Sequence, residues 1–183
     1  MITIPPASAL QPVFDIKGVL EPAISNVFSQ AGFVAAQIID STVPPNFQAD
    51  TPRVEVKVTV GESTEGGAFQ LAAARVYCTF KAQLVLRAIT KTDAAGKSTH
   101  AAYRPQIYFI GSLLGYLINN QQGALVNHRI YQPVKFTGSS DVYSSAANGI
   151  EWSDQNFTLD VSIVPSPALI ASLVPFTIIQ PSP

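Results

Sequence analysis

Residues 53–67 read RVEVKVTVGESTEGG. Arg53, Glu55, Lys57 and Thr59 alternate with Val54, Val56, Val58 and Val60 before the pattern gives way to a polar, glycine-rich stretch. Successive side chains of a strand point to opposite faces, so this period of two specifies a strand with one wet face and one dry face. The segment RVYCTFKAQLVLRAIT (75–90) repeats the pattern, with Val76, Cys78, Phe80, Ala82, Leu84 and Leu86 on one side and Tyr77, Thr79, Lys81, Gln83 and Arg87 on the other. Two long amphipathic strands in succession most simply pair antiparallel, which makes 61–74 an extended hairpin loop.

On either side of this hairpin the period changes. DIKGVLEPAISNVFSQAGF (15–33) places Ile16, Val19, Leu20, Ala23, Val27 and Phe28 at helical spacing, with Asp15 as N-cap and Gly32 just past the end. Pro22 admits an alternative start near Glu21, because proline is tolerated in a first turn. FVAAQIID (33–40) reads as a short strand and 41–52 as a proline-broken connection. After the solvated turn KTDAAGKST (91–99), YRPQIYFIGSLLGYLINNQQG (103–123) returns to helical spacing through Ile107, Ile110, Leu114 and Leu117, with Pro105 in the first turn. HRIYQPVKF (128–136) and NGIEWSDQNFTLDVSIV (148–164) read as strands, the second entered through a Ser153-Asp154 turn that follows the single tryptophan, Trp152. The order helix, strands, helix, strands predicts an α+β domain over 14–164, a largely antiparallel sheet with both helices packed on one face.

The ends differ from this middle. Residues 1–13 hold three prolines and no period, and are expected as an extended N-terminal arm. Residues 165–183 carry Leu169, Ile170, Leu173, Val174, Phe176, Ile178 and Ile179 among five prolines. Disordered tails are normally poor in such side chains, so this C-terminal extension is expected to bury itself, on its own domain or across a neighbouring subunit.

Composition limits the function. At 183 residues the chain is long enough for one self-sufficient core. Eleven Lys and Arg against twelve Asp and Glu leave no basic footprint for a duplex-binding surface. Charged residues are 13%, about half the usual share. Such a surface is either covered in part by other subunits or simply rich in neutral polar groups. One cysteine, Cys78, excludes an internal disulfide. MITIPPASAL lacks a basic n-region, and the longest apolar run, 108–118, is about half of what a bilayer crossing needs, so a soluble intracellular product, or one released by lysis, is expected.

Residues for chemistry are sparse. Neither His100 nor His128 has Cys, Asp or Glu at ligand spacing, no G-x-S-x-G occurs, and Gly66-Gly67 lacks the Lys and Ser or Thr of a phosphate loop. Glu151, Asp154 and Asp160 are close in sequence, but Asp160 is expected on the wet face and Asp154 in a turn, which disfavours a paired acid and base. The expectation is a protein without catalytic, cofactor-binding or metal-binding residues. A ligand-binding reading, in which Trp152, Tyr143 and Tyr131 form a stacking platform for carbohydrate or another ligand, is the alternative.

DIKGVLEPAISNVF, RVEVKVTV, YCTFKAQLVLRAI, QIYFIGSLLGYLIN and GIEWSDQNFTLDVSI, taken in order, resemble the tail terminator (tail completion) proteins of tailed bacteriophages across residues 14–164. That resemblance implies a structural virion protein made in the host cytoplasm. It would form a homo-oligomeric ring, expected as a hexamer, that caps the tail tube and meets the neck and connector proteins, with DNA passing non-specifically and no membrane. A neck or head-completion adaptor is the near alternative. On this reading Glu62, Glu65, Gly66 and Gly67 form a mobile acidic loop facing the lumen or an adjoining ring, or else a solvated loop only. Trp152, Leu169, Leu173 and Phe176 are the expected contacts between subunits.

Overall fold

The computed structural model describes residues 8, 11, 14–33, 37–38, 53–62, 78–93, 95–121, 125–145, 147 and 149–164. The helix α1 (Ile16–Gln30) begins where the sequence puts its cap: the Asp15 carboxylate accepts from the Gly18 N–H at 2.9 Å. Pro22 therefore lies inside the helix, where its ring is exposed and removes one backbone donor. At the other end Phe33 N–H bonds the Phe28 carbonyl and Gly32 N–H that of Ser29, both at 3.0 Å. Gly32 has φ 88°, and the Phe28 and Phe33 rings meet edge to face at 5.8 Å, so backbone and side chains end the helix together. Ser8 and Gln11 are helical, where the sequence predicts an extended arm, as is Phe14 just after it, and Asp15 N–H bonds the Gln11 carbonyl at 2.8 Å.

The short β1 (Gln37–Ile38) runs parallel to β2 (Arg53–Glu62). The predicted hairpin forms: β2 pairs antiparallel with β3 (Cys78–Lys91) from Arg53↔Ile89 to Glu62↔Phe80. Glu62 is thus the last residue of a strand rather than part of the loop, because Gly61 and Glu62 still find ladder partners in Lys81 and Phe80. Glu65, Gly66 and Gly67 lie outside the described residues.

Next comes α2 (His100–Asn119), which starts ahead of the predicted first turn and so encloses Pro105. It leads to β4 (His128–Ser139), β5 (Tyr143–Ser145) and β6 (Ile150–Ile163). The open sheet has the order β1-β2-β3-β6-β4, with β5 beside the start of β6, and all pairings except β1 with β2 are antiparallel. The expected turn at Ser153-Asp154 is instead part of β6, since Ser153 pairs with Ala88 and Asp154 with Arg87.

The fold is α+β, with the helices over one sheet face. Val54, Val56 and Val58 of β2, Ala82, Leu84, Leu86 and Ala88 of β3, and Phe157, Leu159, Val161 and Ile163 of β6 are buried with Leu20, Ile24 and Phe28 of α1 and Ile107, Leu114 and Ile118 of α2. Gly111 sets the separation of α2 from the sheet: a Cβ there would stand 2.5 Å from the Phe157 ring and 3.0 Å from Leu86. Asn119 ties the end of α2 to β4, its amide donating to the Ile130 carbonyl at 2.6 Å and accepting from the Ile130 N–H at 3.3 Å.

Candidate functional site

Beneath the N-terminal turn of α2 the dry face becomes polar. His100 Nε2 lies 2.7 Å from Ser153 Oγ and its Nδ1 3.1 Å from Thr90 Oγ1. Ser98 donates to Glu151 at the rim, and Gln155 Nε2 donates to the Arg104 carbonyl at 3.0 Å. Burial pushes the His100 imidazole below its ordinary value, with Glu151 working the other way and Arg104 reinforcing the shift. A hydroxyl against an imidazole invites a nucleophilic reading, but nucleophilic catalysis requires access to the hydroxyl. His100 is 2% exposed and Ser153 0%, so the cluster fastens α2 to β3 and β6. His128, also buried, opens β4 opposite Ile163, at the far end of β6 from Ser153. Among the described residues no three His, Cys, Asp or Glu gather in a metal-binding group, and no described helix is long and apolar enough to cross a membrane.

On the opposite face a charged row crosses the sheet. Arg87 donates from Nε to Asp154 Oδ1 at 2.7 Å and from Nη2 to Oδ2 at 3.0 Å, with Glu55 Oε2 3.8 Å from Nη1. The hydrogen bond to Asp154 holds the guanidinium above its ordinary value against the effect of burial. Asp154 is thereby committed to Arg87, while Asp160 is exposed on the same face six residues further along β6. Near the start of β6, Tyr143 stacks on the half-buried Trp152 with centroids 5.7 Å apart and planes at 27°. Tyr131 is paired with Asp160, eight residues from Trp152 along β6, about 26 Å away. The structure brings together two members of the expected aromatic platform and separates the third.

Most of the exposed aromatic residues among those described lie on α2 and the edge strand β4. Tyr108, Phe109 and Tyr116 of α2 are 45%, 63% and 59% exposed, and Phe136 of β4 is 41% exposed. Tyr108 and Phe136 meet edge to face at 5.0 Å, and Phe136 lies 5.4 Å from the buried Phe157, so this surface grows directly out of the core. A cleft of about 360 Å³ opens here, lined by Arg104, Pro105, Tyr108, Phe136, Ser139 and Gln155. Arg104 reaches across it to the Ser139 hydroxyl. Its aromatic pair comes from segments 28 residues apart, so no local pattern in the sequence marks the cleft. Leu169, Leu173 and Phe176 lie outside the described residues.

No family model matches this chain, and no curated protein matches it. Solved structures do: one is similar over 85% of this chain and 98% of its own length, at 12% identity with a TM-score of 0.43, a likeness that carries no argument about function.

Proposed function

We propose that the chain is a structural subunit of a phage tail that assembles into a homo-oligomeric ring and joins the tail tube to the neck. One observation supports self-association above all: half-exposed aromatic residues run from the outer face of α2 onto the edge strand β4, continuous with the core, on a chain with little charge to keep copies apart. Ring closure satisfies such a surface on every copy with a single heterologous contact. The resemblance in element order supplies the place in the virion, terminator or neck adaptor. The hairpin ending at Glu62 and Phe80 would carry the acidic loop toward the lumen or the next ring, where negative charge keeps DNA from adhering.

Sedimentation and negative-stain imaging at assembly concentrations test this. The expected particle is several-fold heavier than 19.5 kDa and annular. A monomer at every concentration, with no binding to tail tube, refutes it. A second reading, a ligand-binding sheet module, rests on the Tyr143–Trp152 stack. Quenching of Trp152 fluorescence by a carbohydrate panel would favour it.

A further inference from the structure

We infer that the cleft between α2 and β4 is a peptide-binding site, and that its occupant is the proline-rich segment 165–183 of an adjacent copy. The inference rests on the ring reading and gives it a specific contact.

The cleft has the chemistry of a proline-peptide groove. Tyr108 and Phe136 stand edge to face at 5.0 Å beside Pro105, offering flat apolar surfaces against which pyrrolidine rings pack. Polar groups are few and of both kinds. Arg104 supplies N–H donors at one side, suited to backbone carbonyls. Gln155, 1% exposed, keeps its Nε2 on the Arg104 carbonyl, while its Oε1 has no hydrogen-bond partner among the described residues. A buried acceptor in that state gains from one incoming N–H donor. An ordinary strand would bring an N–H at every residue into a cleft with little to accept them, whereas a Pro-X-Pro stretch brings one in three residues.

Segment 165–183 fits those terms. It opens Pro165-Ser166-Pro167-Ala168, has no charged residue, and carries apolar side chains that need cover. In a polyproline II conformation its 19 residues would span about 59 Å, longer than the 14-residue strand β6. Tyr108 and Phe136 are half exposed among the described residues, and the low charge of the chain favours a cover shared between copies.

The test uses the full chain with p-benzoylphenylalanine in place of Tyr108 and, separately, in place of the exposed Ser139. Light and heavy isotope-labelled copies are mixed, assembled and irradiated. Peptides cross-linked between either position and 165–183, joining light to heavy copies, are the expected result. Leu173→Asp or Phe176→Asp should lower their yield at least about tenfold. Cross-links confined to single copies overturn the inference, because the segment then folds back on its own domain. Assembled rings without any cross-link to 165–183 also overturn it while leaving the ring reading standing, whereas a persistent monomer defeats both.

Discussion

Gly111→Ala measures how closely α2 sits on the sheet. The added methyl would lie 2.5 and 2.7 Å from two carbons of the Phe157 ring and 3.0 Å from Leu86 Cδ1. Carbon atoms pack at about 3.5–4.0 Å, so the ring would have to retreat by about 1 Å. Phe157 has little freedom to do so, being 1% exposed and backed by Phe136. Overpacking of this kind costs about 1–3 kcal/mol, while Gly to Ala inside a helix returns about 1 kcal/mol. The expected net is a loss of about 1 kcal/mol, read as a lower urea midpoint at unchanged slope. In a Phe157→Leu background the clash is relieved, and the same change should become stabilising, a coupling of at least about 1 kcal/mol. If Gly111→Ala stabilises the wild-type background as much as the Phe157→Leu one, α2 does not approach the sheet as described.

Leu84→Asp and Val56→Asp place a lone carboxylate on the fully buried dry face, at a cost of several kcal/mol, and both should fail to give a native near-ultraviolet spectrum. Arg87→Ala strips Asp154 and the buried Glu55 of their shared cation and should lower stability by about 2–4 kcal/mol in chemical denaturation, whereas an effect within about 0.5 kcal/mol would show the row to be ornamental. His100 is held below its ordinary value of 6.5, so on acidification the unfolded chain takes up a proton that the folded site resists. Stability is therefore lost as pH falls through the unfolded value toward the lower folded one. His100→Gln should flatten the dependence of melting temperature on pH between about 7 and 5, and an equal slope in both proteins would contradict the assignment.

The sheet was legible because its signal is local: Val54, Val56 and Val58 declare the dry face and Lys57 and Thr59 the other through their own chemistry, although Glu55 on that other face is buried beside Arg87. Misplaced boundaries share another cause, polar residues whose partners lie far along the chain. Ser153-Asp154 reads as a turn on its own, yet Ser153 is held by His100 and Asp154 by Arg87, 53 and 67 residues away. His100 likewise reads as the end of a solvated turn until Thr90 and Ser153 are seen around it. Pro105 drew the predicted helix start to itself, although α2 tolerates it five residues in, at the cost of one hydrogen bond to Ala101.

The shape of β4 bears on how copies would associate. At twelve residues it is a long edge strand, the kind of feature that invites unlimited strand addition. Its backbone is nevertheless poorly suited to that. Asn119 occupies both the N–H and the carbonyl of Ile130, Pro133 has no N–H to offer, and the register shifts twice between Tyr131 and Gly138. Gly138 takes φ 150° at the second shift, a value that L side chains rarely adopt. Backbone pairing with another copy is thus interrupted midway, while Phe136 and Tyr108 present their rings beside the interruption. Association through this edge would have to use side-chain packing, whose geometry fixes one angle between neighbours. A fixed angle permits closure into a ring, whereas an uninterrupted edge would let copies add as an open ribbon.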